Sequence, residues 1–477
     1  MSVAVRPARV SPDAAVGPAA VTVLGCATVA ALGALAAQQQ TLALAAAGLA
    51  GIALLVVLAG GWIDSIAVLV ITLPLPALYA AGDLRLAPAA PITAVVIAAW
   101  FLAWGPSRRR LSTGAIPVLL CLAFLLAYLL AGAVSDHRGA ALREIANLVL
   151  IGTLLVVATD TFSRRPGSAG TAALAIAGTA GLVGFLAALE TGGVIPGQFS
   201  EEGVNRAALG FGQPNGLGMF LALALPFAVH ARRISGNTAM RAATTLALVM
   251  TVIGLAGTFS RGSWLSVLIG TFVLLLIGEW RFVLRVLGGA LVAALVVDIV
   301  TGGAIRVTIA GTLLDWSVAQ RAALMLAGIQ LFLEHPIIGA GPGAFAAELD
   351  RLGALVPTLW DMKATPHNAY IQVAAESGLV GLSIYVLLLV ALIRRALAAA
   401  RDASADPVQA SLRRAALWTL AIFCAEGMVE WPLSHGHAQI IIIAAAIACA
   451  ATVTQRNGRS VPVGTTPAAV TPARGPS

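Results

Sequence analysis

Residues 115–133 read AIPVLLCLAFLLAYLLAGA, an unbroken apolar run with no charged side chain. A helix needs about 20 such residues to cross the hydrocarbon core of a bilayer. Similar runs recur along the 477-residue chain, which is 59% apolar and only 10% charged. A soluble domain carries about 25% charged residues, so this composition excludes a soluble enzyme, a disordered chain and a nucleic-acid-binding domain. Because the apolar runs are continuous rather than alternating, they predict an all-α polytopic protein in a lipid bilayer and disfavour a β-barrel.

Fourteen apolar runs are candidates for membrane-spanning helices. They lie near 20–37, 41–60, 63–80, 89–104, 115–133, 144–160, 171–188, 212–230, 243–259, 263–278, 283–300, 369–393, 412–429 and 437–453. Because several are short, we expect about 12–14 spanning helices. The runs divide the chain into a cytoplasmic N-terminal tail (1–18), N-terminal spans (19–300), a large extracytoplasmic loop (301–368), C-terminal spans (369–454) and a disordered cytoplasmic tail (455–477).

The basic residues predict the orientation of these spans. The chain has 29 Lys and Arg residues and a formal net charge of +8. With both termini in the cytoplasm, about two thirds of the basic residues fall in cytoplasmic segments, as the positive-inside rule requires. We therefore expect a multi-pass protein of the plasma (inner) membrane with both termini cytoplasmic.

One extracytoplasmic segment is longer and more hydrophilic than the others, residues 301–366. Within it, apolar residues at helical spacing predict a helix over 315–334 that Asp315 can cap. A Gly/Pro turn, Pro336–Gly343, and a short amphipathic stretch, Ala344–Leu355, follow. Loops longer than about 15 residues are usually functional or disordered, and the periodicity of this one favours a functional loop containing short helices.

A candidate catalytic base lies where this loop ends. Pro366 cannot lie inside a preceding helix, so a new helix is expected to begin here with His367 or Asn368 as its N-cap. The positive end of the helix dipole disfavours a charged imidazole, which would leave His367 neutral and able to accept a proton.

The first turns of the same helix carry a polar stripe. Asn368, Gln372 and Glu376 recur at four-residue spacing, and in a membrane such a stripe faces protein or a wet cavity. We expect the ring of His367 to turn toward it. Gly378 and Gly381 then let a neighbouring helix approach closely.

Four stretches in combination resemble the O-antigen ligase and polymerase superfamily. His367-Asn368, nine residues, and then Gly378-x-x-Gly381 are similar to its signature. The segment from Arg206 to Pro226, which contains Gly210–Asn215, resembles its Arg segment before a span, and Thr258–Ser263 resembles its Ser-Arg-Gly element. The stretch from Arg321 through Gly343 resembles its loop helix and Gly turn. The resemblance covers 200–381.

The resemblance implies transfer of a glycan from undecaprenyl diphosphate to an acceptor hydroxyl on the outer face of the plasma membrane, with inversion at the anomeric carbon. The acceptor is a saccharide or a lipid-linked glycan. His367 would be the general base, and Asn368 would orient the His or the sugar. Arg206, Arg261 and Arg321 would bind the diphosphate, because a guanidinium stays charged and forms bidentate hydrogen bonds with phosphate oxygens. Supporting positions are Asn215, Gln372, Glu376, Gly378 and Gly381.

No acidic cluster suited to a divalent metal is evident in the sequence, so we expect no metal and no other cofactor. Each arginine also has a simpler interpretation: Arg206 can pair with nearby glutamates, Arg261 can reach the membrane interface, and Arg321 can lie on a solvated helix face. Glu426 and Glu430, one turn apart at the outer end of a span, are candidates for lining the cavity.

Three alternatives stay open at the level of sequence. A polymerase, in which the acceptor is another lipid-linked repeat unit, shares the signature with a ligase. A protein-modifying oligosaccharyltransferase is disfavoured because no extra C-terminal soluble region is found. A lipid-linked glycan flippase or other transporter suits the span count, but internal repeats and broken-helix signals are lacking and the outer loop is large.

Overall fold

The fold is that of a computed structural model, which describes residues 64–72, 89–104, 115–197, 199–201, 204–209, 211–300, 302–303, 306, 316–349, 351–352, 365–433 and 437–459. The predicted N-terminal tail, the predicted spans 20–37 and 41–60, and the proposed cap Asp315 lie outside the described residues.

The described secondary structure is almost entirely helical. In chain order the elements are α1 (Ser65–Thr72), α2 (Ala89–Trp104), α3 (Ala115–Val134), α4 (Arg138–Arg164), α5 (Pro166–Thr191), β1 (Phe199–Glu201), β2 (Val204–Arg206), α6 (Pro214–Ile234), α7 (Thr238–Gly257), α8 (Arg261–Phe272) with a 3₁₀ turn (Val273–Ile277), α9 (Trp280–Val300), α10 (Trp316–Glu334), α11 (Ala344–Glu348), α12 (Ala369–Ala400), α13 (Pro407–Glu426) and α14 (His437–Arg459).

These helices confirm the prediction of an all-α polytopic membrane protein. Six of the described helices, α3 to α7 and α12, are long and apolar enough to cross a membrane by length and composition. Shorter apolar helical stretches lie in α2, in α8 with its 3₁₀ turn, and in α14. Each predicted run from 63–80 onward overlaps a described helix, although 73–80 lie outside the described residues. α14 continues to Arg459, beyond the predicted boundary at 453 and into the tail 455–477 that the sequence predicts to be disordered, and 460–477 lie outside the described residues. The total of 12–14 spans stays a prediction.

One short element departs from the all-helical expectation. β1 and β2 form an antiparallel hairpin between α5 and α6, with Phe199 opposite Arg206. Strands of three residues are too short to produce a periodic sequence signal. The hairpin matters because its second strand ends at Arg206.

α6 lies at the centre of the bundle. Its apolar window is 78% buried inside the protein, against 22% for α7, which is therefore peripheral. α6 packs against α5, α7 and α13, and Phe220, Phe227 and, from α13, Trp418 are among the largest fully buried side chains. A helix that is apolar all round is expected in such a position.

α5 and α7 pack closely because both present glycine at their crossing. A Cβ on Gly254 would overlap the backbone of Gly184, and a Cβ on Gly184 would overlap Met250 and Thr251. Small residues allow helix backbones in a membrane to approach in this way. The contact fixes the end of α5 relative to the turn that follows α7.

α12 is interrupted at Gly378, whose φ of 64° and ψ of −166° are not helical. The break exposes main-chain groups that the Gly/Pro turn satisfies: Leu379 N–H donates to Pro336 O (2.8 Å) and Gly341 N–H donates to Glu376 O (3.0 Å). A Cβ on Gly378 would overlap the Ile337 carbonyl. The prediction that Gly378 admits a neighbouring helix is therefore wrong, because the Gly/Pro turn Pro336–Gly343 docks there instead. At Gly381 a Cβ would meet Ser377 of the same helix, with Ala127 of α3 at 4.0 Å.

Candidate functional site

The start of α12 presents His367 on an unusual backbone. Asn368 is the N-cap: its Oδ1 accepts from the N–H groups of Tyr370 and Ile371, both at 3.0 Å, and its Nδ2 donates to Met428 O at 3.0 Å. His367 precedes the cap with φ of 49°, in the left-handed region. Of the two residues predicted as the N-cap, Asn368 is the correct one. The imidazole of His367 therefore does not cap the helix and is available for another contact.

The imidazole of His367 faces the carboxylate of Glu430. His367 Nδ1 lies 2.9 Å from Glu430 Oε2. The expectation that the ring turns toward the stripe of Asn368, Gln372 and Glu376 is therefore wrong, because the loop after α13 supplies a closer partner. An ionised carboxylate only accepts hydrogen bonds, so Nδ1 carries the hydrogen when this bond forms and Nε2 is the proton-accepting nitrogen.

Glu430 joins His367 to two other parts of the chain. Its Oε1 accepts from Arg321 Nη2 of α10 and from Asn215 Nδ2 of α6, each at 3.2 Å. Burial raises the pKa of the Glu430 carboxyl, but the hydrogen bond and charge of His367, the charge of Arg321 and the bond from Asn215 outweigh burial and lower that pKa below its ordinary value. Glu430 is therefore a stable anion that holds a cation, an amide and an imidazole together.

A hydroxyl chain extends the cluster toward Arg261. Ser260 Oγ donates to Asn215 Oδ1 at 3.1 Å and lies 3.1 Å from Ser263 Oγ. Arg261, half-buried, begins α8 immediately after Ser260. A Cβ on the next residue, Gly262, would lie 3.2 Å from Val429, the neighbour of Glu430. The backbone of Arg261 is thus placed between two contacts with the His367 cluster.

Arg206 hydrogen-bonds to the turn between α7 and α8 that precedes Ser260 and Arg261. Its Nε donates to Thr258 O at 3.2 Å and its Nη2 to Phe259 O at 3.5 Å. These carbonyls end α7, where the negative end of the helix dipole attracts a guanidinium. Arg206 is therefore held against the turn that leads into Ser260 and Arg261.

Three segments of this region carry strained backbone. Among the described residues, the non-glycine residues with positive φ are Leu209 (44°), Phe259 (49°) and His367 (49°). They lie on the segments that hold Arg206, Arg261 and the candidate base. Such outliers cost free energy and cluster at functional sites, so their coincidence supports a functional assignment for this end of the bundle.

The polar stripe of α12 serves a different contact. Gln372 and Glu376 are buried, and Gln372 Nε2 donates to Glu376 Oε1 at 2.6 Å. The backbone N–H groups of Gly343 and Phe345 also donate to Glu376. These two side chains, with Gly378, attach the segment Pro336–Phe345 to α12 rather than surround His367.

Residues 246–386 match the protein-family model described as O-antigen ligase. This match confirms the resemblance that the sequence motifs indicated. It supports a membrane glycosyltransferase of the ligase or polymerase type, acting on glycans in polysaccharide biosynthesis. No curated protein sequence matches the chain.

The matched O-antigen ligase region holds part of the site. It includes Arg261, Arg321, His367 and Asn368, whereas Arg206, Asn215 and Glu430 lie outside it. The sequence proposed Glu430 only for lining a cavity, and its contact with His367 was missed because 63 residues separate the two. The available signal was the pair Glu426 and Glu430 at the end of a span, where carboxylates are rare unless they have a function.

A cavity of about 390 Å³ lies away from these residues. His137, His335 and Glu348 are among the residues that line it, together with 336–340. None of the predicted site residues contributes to its lining. Within the part of the chain that the structure describes, no three His, Cys, Asp or Glu side chains are grouped to hold a metal ion, and independence of metal stays a prediction.

Proposed function

We propose that this protein transfers a glycan from undecaprenyl diphosphate to an acceptor hydroxyl at the end of the bundle that carries His367, with inversion and without a metal ion. The observation that carries the proposal is the contact of His367 Nδ1 with the Glu430 carboxylate. That contact selects the tautomer in which Nε2 can accept a proton.

In the proposed reaction, His367 Nε2 takes the proton of the acceptor hydroxyl as its oxygen attacks the anomeric carbon. The bond from that carbon to the phosphate oxygen breaks on the opposite face, and the lipid diphosphate leaves with the electron pair. Negative charge grows on the diphosphate, so preorganised cations stabilise the transition state. Arg206 and Arg261 are assigned this role, since both belong to the turn between α7 and α8 or pack on it.

Arg321 has a second assignment besides the diphosphate. Its Nη2 is bound to the same Glu430 carboxylate as the imidazole. It therefore helps to hold Glu430 ionised and in place, whether or not it also reaches the donor. Asn215 contributes in the same way through its amide N–H.

The decisive experiment is single-turnover transfer by purified protein from a defined polyprenyl-diphosphate glycan, in buffer containing EDTA. General-base catalysis typically contributes about 10²–10⁴ in rate, so His367→Ala should lose at least about a hundredfold while it still binds the donor. Wild-type transfer should persist in EDTA and fall at acid pH as the imidazole takes up a proton.

His335→Ala is the matched control, because this exposed histidine lies outside the cluster. A wild-type rate in His367→Ala, or a defect confined to donor binding, would show that His367 is not the base. The same assay separates ligase from polymerase: a saccharide acceptor supports the first, and a lipid-linked repeat unit supports the second.

A further inference from the structure

The C-terminal end of α5 holds a buried carboxylate that the proposed reaction does not use. Glu190 is 3% exposed. Its Oε2 accepts from the backbone N–H groups of Ala208 at 3.0 Å and Leu209 at 2.9 Å. Leu209 has the left-handed φ of 44°, which a leucine rarely adopts. Hydrogen bonds from two amides to a carboxylate are strong enough to hold such a turn.

Thr191, the next residue of α5, binds the C-terminal end of α7. Thr191 Oγ1 donates to Gly257 O at 3.0 Å, and the same carbonyl accepts from Ala207 N–H at 3.0 Å. A Cβ on Gly257 would meet the Thr191 hydroxyl at 2.6 Å. One helix end therefore contacts both the segment after Arg206 and the end of α7 that leads to Arg261.

We propose that Glu190 is a positioning residue that keeps Arg206 in register with the Ser260–Arg261 turn, so that both arginines meet one diphosphate. Without the carboxylate, the buried amide of Ala208 and the half-buried amide of Leu209 lose their acceptor, and Leu209 leaves the left-handed region. Ala207 then shifts from Gly257, and the guanidinium of Arg206 is displaced from Thr258 and Phe259. This inference rests on the proposed role of Arg206 as a diphosphate ligand.

The test measures KM for a polyprenyl-diphosphate glycan, kcat and melting temperature in Glu190→Ala, Glu190→Gln and Arg206→Ala, and in the double variant Glu190→Ala with Arg206→Ala. A buried donor left unsatisfied is costly, and we expect Glu190→Ala to raise the KM by about tenfold or more with a smaller effect on kcat. Glu190→Gln retains an oxygen that accepts both amides and should restore a nearly normal KM. In the Arg206→Ala background, loss of Glu190 should add little, because residues that act through one group are not additive.

Each outcome has a distinct meaning. An equal rise in KM with and without Arg206, or a Glu190→Gln variant as impaired as Glu190→Ala, would overturn the positioning role. A normal KM in Glu190→Ala beside a raised KM in Arg206→Ala would overturn this inference alone. A normal KM in Arg206→Ala would overturn the diphosphate role itself, and the inference with it. If Glu190→Ala does not fold, Glu190→Asp, which is one methylene too short for both amides, takes its place and should show the same rise.

Discussion

At the scale of single residues, the hydrogen-bond partners of Glu430 dictate what a substitution there must do. Arg321 and Asn215 both donate to Oε1, while His367 Nδ1 faces Oε2. In the Glu430→Gln variant only the amide oxygen can accept hydrogen bonds. Arg321 and Asn215 both need an acceptor at the position of Oε1, so the oxygen is expected to occupy that position. The amide NH₂ is therefore turned toward His367, where it donates to Nδ1 and forces the hydrogen onto Nε2.

Glu430→Gln is expected to lose transfer by about 10²–10⁴, because an imidazole protonated on Nε2 cannot act as the base. Donor binding and folding should be retained. Glu334→Gln serves as the control, since Glu334 is an exposed carboxylate paired with Arg351 outside the cluster. Single-turnover rates of the two variants decide the matter, and a near-normal rate in Glu430→Gln would remove Glu430 from the mechanism.

The pH dependence follows from the same carboxylate. The pKa of Glu430 is lowered in the folded protein by His367, Arg321 and Asn215 against the opposing effect of burial. Its contribution to stability is therefore present above the pKa of an unfolded Glu and is lost only as the pH falls through the lowered folded value. Glu430 therefore stays ionised at mildly acid pH, and a loss of activity there does not report its protonation.

At the scale of secondary-structure elements, the sequence predicted where the helices lie but not where one is broken. The apolar runs correspond to helices because hydrophobic length is a local property. The break at Gly378 depends instead on Pro336–Gly341, some 40 residues earlier, whose main chain takes the hydrogen bonds that α12 gives up. A glycine inside an apolar run is compatible with close helix packing or with a break, and only the partner segment distinguishes the two.

Gly378→Ala tests this element directly. The φ and ψ of Gly378 lie in a region that is essentially restricted to glycine, where other residues cost about 1–3 kcal/mol. The added Cβ would also overlap Ile337. We expect the melting temperature in detergent to fall by about 3 °C or more. Gly178→Ala is the control, because a Cβ on that exposed residue of α5 meets nothing within 4 Å. Equal melting temperatures would mean that the loop does not depend on this break.

At the scale of the whole molecule, α12 separates two chemically different ends. The part of α12 after the break at Gly378, Leu379–Ala400, is 22 residues long, and at about 1.5 Å per residue it matches the hydrocarbon thickness of about 30 Å. His367 precedes it, whereas Arg401 follows it and donates to Leu276 O at 2.8 Å. Near Arg401, Arg413 pairs with Asp402 at 2.6 Å and Arg414 with Glu279 at 3.0 Å. From the positive-inside rule we expect this arginine-rich end in the cytoplasm and the His367 end outside.

Two exposed alanines, one at each end, make this orientation measurable. Ala347 lies on α11, within the loop 301–368, and Ala403 lies in the connection between α12 and α13. In a background without the native cysteines, Ala347→Cys should react with a membrane-impermeant maleimide in spheroplasts, and Ala403→Cys should react only after lysis. The two cysteines should behave in opposite ways, because the membrane-spanning part of α12 separates them. Labelling of Ala403→Cys alone before lysis would place His367 in the cytoplasm, where a donor presented on the outer face could not reach it, and the proposed transfer would fail with the topology.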